Sequence, residues 1–461
     1  MVRMRASFRW LWAGSGAANL GDGITVTALP LIAVAAGAPP GQVALVTVSA
    51  TIAWPLFGLH AGWLVDRASP ATLLVTVNVA RVLALAALAV SLTTDFATFA
   101  FTVGAAFVYG VAETLVDTAL ISTVPRTVDK GQLTAANSRL EATINVANQL
   151  AGPPLAGLLI GLSGLAATAV GSGLYALAAI AAVGLAITLS SDNRLASNHP
   201  SRLPAASTAD DAGKDHGQQS AGSTTPPRGV LGGMRFLWNH RLQRELTVLT
   251  AAMSVVWGAW TSVFVLFAVS PGPLGLSPAA YGLLLASMAG GGIVASMLTS
   301  RLERLLPPAA LLFVDTVGTA GLVLPAALGA PVPVIAAGII IAGAGSTVWR
   351  IIVSVVRQRT TPLNLLGRVY SASRVISWGA LPLGAGLAAI GVTSLGVQPV
   401  LWIASGFAIV VSLWFAARLP KTATRINIAA SEPQRTKANP LFNQMVDNRP
   451  AQSYRCNQPN G

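Results

Sequence analysis

Six charged side chains interrupt long apolar runs: Asp22, Arg81, Glu113 and Asp117 in the first half, Asp315 and Arg350 in the second. A charge held in hydrocarbon is expensive, so each is a functional candidate by default. Two kinds of chemistry suit them. A carboxylate facing an apolar cavity can be held neutral and exchange a proton between two open states; Glu113 is the first candidate for that role and Asp22 the second. Alternatively, opposite charges at one depth pair and act structurally. Asp22 stands ~18 Å into the first run and Arg81 ~16 Å into the third, so the two can meet.

Other chemistry finds little support. The four histidines (His60, His199, His216, His240) are scattered, which leaves no metal set, and the single Cys456 permits no internal disulfide. The segment Gly343 to Ser346 is glycine-rich but lies inside an apolar run, so it fails the strand-loop-helix test of a phosphate loop. No cofactor, no metal and no enzyme activity is expected, and no ATP site is visible.

The elements that must position these residues are apolar. The chain has 461 residues, 53% hydrophobic and 10% charged, with a mean hydropathy of +0.64. Ordinary soluble domains carry about a quarter charged residues. Apolar runs fall at about 10–37, 42–64, 70–91, 97–122, 137–162 and 166–189, then at 246–270, 278–300, 307–329, 332–356, 370–393 and 397–418. Each can cross ~30 Å of hydrocarbon as a helix. The first run resembles a signal peptide at its start, but its length and Asp22 favour a retained helix.

The reading is an all-α integral membrane protein in which twelve helices form two pseudo-symmetric bundles of six. Residues 1–189 and 246–418 are the bundles, 190–245 a linker whose segment 230–245 lies at the interface as a helix, and 419–461 a disordered tail. Basic residues gather at the N-terminus, Arg67, Arg126 and Lys130, in the linker, and at Arg301, Arg304, Arg357, Arg359 and Arg368. The alternate connections carry none, so the positive-inside rule puts both termini and the linker in the cytoplasm. The net charge of +13 is assigned to anionic headgroups of the bilayer rather than to nucleic acid.

The halves also repeat in sequence. Gly343, Thr347 and Arg350 keep the spacing of Gly110, Thr114 and Asp117. Arg368, Pro382 and Gly386 keep that of Arg139, Pro153 and Gly157, roughly 230 residues earlier. Repeated halves suggest a transporter. In this alignment Arg350 answers Asp117, which makes a cross-half pair of Arg350 with Asp117 or Glu113 an expectation.

Several motifs carry a resemblance. Gly62-Trp-Leu-Val-Asp66-Arg67 resembles the loop signature of the major facilitator superfamily, without its following basic residues. Gly152-Pro153-Pro154-Leu155-Ala156-Gly157 resembles the end of that family's antiporter signature, one glycine being Ala156. Glu113 to Ala119, Ala136 to Leu140, Gly233 to Arg244, Arg357 to Arg374 and Trp378 to Ala385 look like the branch of enterobactin-exporter-like and macrolide-efflux-like transporters of high-GC bacteria. The likeness covers about residues 8–418.

The resemblance implies roles. The first, fourth, seventh and tenth spans would line a central cavity, which brings Asn19, Asp22, Glu113, Trp257, Trp260, Trp349 and Arg350 towards it. Asp66 would cap the eleventh helix near Arg368 and Arg67 would pair with Asp117, as a latch or as a static anchor. Gly152, Pro153, Pro154 and Gly157 would bend or merely pack the fifth helix. Each tryptophan is open to a packing or lipid-facing role instead. The function implied is proton-coupled efflux of amphipathic small molecules (drug-like, macrolide-like or siderophore-like) by a monomer in the bacterial cytoplasmic membrane. An importer or facilitator of a dedicated metabolite, or a transport-inactive sensor or scaffold, is the alternative.

Overall fold

The computed structural model describes residues 5–67, 69–129, 132–198, 230–362 and 365–431. Of the first half, α1 (Ala6–Ala35), α2 (Pro40–Arg67), α3 (Pro70–Thr94) and α4 (Thr98–Thr127) cross in alternating directions. The fifth crossing is composite: α5 (Leu133–Ile144), a π-helical segment (Asn145–Ala151) and α6 (Gly152–Leu162). The half ends with α7 (Gly164–Asn198).

The second half opens with the short α8 (Val230–Asn239) and continues through α9 (Arg241–Ala268), α10 (Pro278–Leu305) and α11 (Pro308–Ala327). It closes with α12 (Val332–Thr360), α13 (Leu366–Leu395) and α14 (Val397–Ser431). Among the described residues eleven helices are long and apolar enough to cross a membrane. The twelfth crossing is the composite one, whose α5 segment carries Arg139 and Glu141.

The fifth crossing, expected as one run bent or packed at Gly152-Pro153-Pro154, carries a π-helical turn just before that segment. Pro153 and Pro154 lack the N–H groups that would close α-turns onto Gln149 and Leu150. The preceding turn widens into the π segment, a form concentrated at functional sites. Two other expected boundaries shift. The helix expected over 230–245 ends at Asn239, because His240 caps α9 by accepting the Gln243 amide on Nδ1 at 3.3 Å. The expected tail begins later too, since α14 runs on to Ser431. Ile426 and Ala429 bury against Leu311 and Leu312 of α11, and Asn427 Oδ1 accepts the Ala309 amide at 3.1 Å. The remainder of the linker and tail, 199–229 and 432–461, lies outside the described residues.

The apolar packing is asymmetric across the molecule. Calling the side on which α1 begins the near face, the far-face ends of both halves share one core. It joins Ile32, Val43 and Val46 to Phe264, Phe267, Tyr281 and Ile335. Towards the near face the core divides. Phe8, Leu11, Leu74, Val124 and Leu185 pack within the first half, and Leu242, Leu249, Ile352, Val356 and Phe415 within the second. The halves are sealed at the far face and have separate interiors at the near face.

The halves meet chiefly through α2 against α13 and α6 against α10, with α2 against α9 and the π segment against α10 adding to the contact. Small residues allow this contact. A Cβ added at Gly157 would lie 2.8 Å from Ala279 Cα, and one at Gly282 2.8 Å from the Pro153 carbonyl carbon. Such spacing is well inside van der Waals contact with backbone, so the Gly-Pro segment is built into the far-face seal.

Candidate functional site

Three helices of the first half bring their charged residues together. Arg81 Nη2 on α3 stands 3.1 Å from Asp22 Oδ1 on α1, with both side chains buried. Tyr175 of α7 donates its hydroxyl to the same Asp22 oxygen at 2.8 Å and lies 3.1 Å from Thr25 Oγ1. The Arg81 guanidinium sits over the Tyr175 ring at 5.0 Å and near the Tyr109 ring at 5.9 Å. Asn78 Oδ1 accepts from Arg81 Nη1 at 3.4 Å. Removing either charge would strand the other without water; in the intact pair the charges offset each other, while Arg81 Nε has no hydrogen-bond partner among the described residues. Depth along the helices anticipated this pairing, and it gives Asp22 a structural partner.

Glu113 has a different setting. It lies one turn beyond Tyr109 on α4, within electrostatic reach of Asp22, Arg81 and Asp117, yet no ion pair among the described residues engages it. It borders a cavity of about 220 Å³. The other walls are Val26, Leu29 and Pro30 of α1, Val46, Ala50 and Trp54 of α2, Thr261 of α9, and Trp378 and Leu381 of α13. A partly exposed carboxylate thus faces a largely apolar chamber formed by both halves.

Asp117, one further turn towards the near face, hydrogen-bonds across the halves: Arg374 Nη2 of α13 donates to Asp117 Oδ2 at 2.9 Å. Sequence reasoning gave Asp117 to Arg67 or Arg350. Arg67 is the exposed last residue of α2, Arg368 sits in the first turn of α13 against Gly233 of α8, and the Asp66 side chain lies outside the described residues. Arg350 is exposed on α12 and makes no ion pair among the described residues. Arg374 was legible as a charge four residues inside an apolar run, the same signal that marked the other six.

The tryptophans need sorting. Trp260 and Trp349 are buried rather than exposed to the cavity at Glu113: Trp260 is stacked on Phe264 at 4.7 Å, and Trp349 Nε1 donates to Thr250 Oγ1 at 3.2 Å. Both fill the second half because neighbouring helices close over their rings. Trp257 is partly buried and meets Trp260 edge-on at 6.1 Å. Trp54 and Trp378 are the pair at the cavity, with centroids 5.1 Å apart. Asn19 is also turned from the expected role, its buried amide donating to the Ser15 carbonyl of its own helix at 2.9 Å.

The π segment touches this site from behind. Gly23, next to Asp22, abuts the Asn148 backbone, and a Cβ added at Gly152 would come 2.7 Å from the Gly23 carbonyl carbon. The widened turn and the absence of side chains at Gly23 and Gly152 let α1 press into the composite helix. Gly152 and Pro153 are buried there, and Pro154 partly so.

Comparisons with known proteins agree with this architecture. The sequence profile of the Major Facilitator Superfamily matches residues 11–383. No curated protein matches the chain. Among solved structures, the nucleoside transporter NupG superposes with a TM-score of 0.65, at 12% identity, over 89% of this chain and 98% of that one. A bacterial homologue of the iron transporter ferroportin, in an inward-facing state, gives 0.65 at 14% identity over 90% and 98%. A POT family transporter in complex with 5-aminolevulinic acid gives 0.66 at 11% over 90% and 96%. These likenesses concern the fold. By the extent of the profile match, the chain belongs to the Major Facilitator Superfamily and is a multi-pass membrane transporter rather than an enzyme.

Proposed function

We propose that the protein is a secondary active transporter that exports amphipathic small molecules, drug-like, macrolide-like or siderophore-like, against inward proton flow. The carrying observation is Glu113: a carboxylate with no ion-pair partner among the described residues, on the wall of an apolar, aromatic chamber shared by the halves. Apolar walls with few polar groups suit amphipathic ligands. A carboxylate there alternates between a protonated form, compatible with an apolar ligand, and an ionised form once water enters. Asp22 is the weaker carrier because Arg81 and Tyr175 already neutralise and bond it.

The near face is the cytoplasmic one, by the distribution of basic residues. Termini and linker lie on that side of a bacterial cytoplasmic membrane, and the carrier works as a monomer. The divided cores at the near face and the shared core at the far face support reading this as a state open towards the cytoplasm. Asp66, Arg67 and Arg368 then belong to the near-face closure of the opposite state.

The reading is tested in proteoliposomes, after a ligand-stabilisation screen has supplied a transported compound. Glu113→Gln should express and melt as the unmodified chain does, yet lose accumulation driven by a pH gradient while retaining exchange. Uphill transport by the glutamine variant at an unchanged rate would remove Glu113 from the coupling step.

A further inference from the structure

Trp54 of α2 and Trp378 of α13 face each other across the junction of the halves, with centroids 5.1 Å apart and ring planes 39° from parallel. A cation lies over both rings. The Arg374 guanidinium carbon is 4.4 Å from the Trp54 centroid and 5.4 Å from that of Trp378. The same guanidinium holds Asp117 at 2.9 Å. Both tryptophans also border the cavity that contains Glu113.

Indole faces carry the most negative quadrupole among side chains, and they favour a weakly hydrated cation. The chain has filled this place with its own. Around it, among the described residues, the charged groups at the site are Asp117 and Glu113 of α4 and Arg374 itself, with the Tyr109 phenol beside Glu113 and with Asp22 and Arg81 already joined deeper in the first half. An incoming cation would therefore meet two indole faces and the Glu113 carboxylate.

We propose that the Trp54–Trp378 pair is the recognition site for the cationic head of an amphipathic substrate, and that Arg374 is its tethered stand-in. A ligand cation entering from the cavity displaces the guanidinium, and displacement breaks the bond to Asp117. Substrate binding is thereby linked to release of an ion pair that joins the halves. Arg374 acts as a positioning residue through Asp117. The proposal deepens the transport reading by naming a substrate class, and it rests on that reading only for the fate of the bound ligand.

The test uses the purified full chain in detergent, with tetraphenylphosphonium as probe and its anionic isostere tetraphenylborate as the shape control. Tetraphenylphosphonium should bind, and tetraphenylborate should not. Trp54→Leu and Trp378→Leu should each weaken binding roughly tenfold. Arg374→Ala should strengthen it, because the competing cation is gone, whereas a structural role for Arg374 gives loss or no change. If Arg374→Ala misfolds, Arg374→Gln makes the same comparison with most of the side chain kept. Equal binding of both isosteres, insensitivity to the tryptophans, or no gain on removing Arg374 in folded protein would overturn the proposal. Binding as expected without transport in proteoliposomes would instead count against the transport reading alone.

Discussion

Asp117 of α4 and Arg374 of α13 form an ion pair across the two halves, and about two-fifths of each side chain remains accessible. Asp22 and Arg81 form one of nearly equal length in which both side chains are buried. Burial separates their roles. A solvated pair contributes about 1 kcal/mol or less and can break in each cycle, whereas a buried pair cannot lose one partner without stranding the other charge.

Breaking the cross-half pair should therefore shift conformation more than stability. Asp117→Asn and Arg374→Gln are each expected to leave the melting temperature within a few degrees. Both should decrease labelling of near-face cysteines in a Cys456→Ser background, because the pair is made in this state and its loss favours the opposite one. The double variant should add little to either single change, since both remove one interaction. Additive effects would show that the two residues act separately.

The buried pair should behave in the opposite manner. Asp22→Ala or Arg81→Ala is expected to cost about 3–5 kcal/mol, because a lone buried charge remains. Thermal unfolding in detergent checks this, and Asp22→Asn combined with Arg81→Gln should recover part of the loss. A mild effect of Asp22→Ala beside a severe loss of gradient-driven transport would reassign proton handling to Asp22.

Far-face closure depends on two glycines. Gly157 meets the backbone of Pro278 and Ala279, and Gly282 meets that of Pro153, so neither has a flexible neighbour that can move aside. Gly157→Leu and Gly282→Leu should keep each half folded but prevent the seal. In the Cys456→Ser background, a cysteine at Ala279 should then react several-fold faster with a hydrophilic maleimide. Unchanged reactivity would mean that the seal does not need this contact.

Asp315 offers a contrast in the second half. It is buried on α11 against Gly345 of α12, and its Oδ2 atom has no hydrogen-bond partner among the described residues. Since coupling is assigned to the first half, Asp315→Asn should melt at the same or a higher temperature and leave transport intact. Lost coupling with retained folding would give the second half a protonic role.

The architecture was legible where the physics is one-dimensional. Apolar length marked the crossings, repeated spacing marked the halves, and depth along a helix paired Asp22 with Arg81. Features that depend on azimuth were not legible. Trp260 and Trp349 lie on the expected helices, but their rings point into packed interiors. Tyr175 and Tyr109 escaped an inventory of charges because a phenol carries none, although they surround Arg81. Arg374 stood in a quoted motif, and only the meeting of α2, α4 and α13 shows what it joins. The long fifth crossing read as one helix because the effect of two consecutive prolines on the preceding turn is a matter of backbone geometry.

The central claim is that the halves exchange closure at one face for closure at the other. Paired spin-label distances test it most directly. In the Cys456→Ser chain, one pair is placed at Asn137 and Leu305 on the near face, and another at Leu162 and Leu274 on the far face. Two populations are expected in lipid nanodiscs, with near-face distances shortening as far-face distances lengthen when pH is changed or Asp117→Asn is introduced. A single unchanging distance at both faces, or movement of both pairs in the same direction, would contradict alternating access.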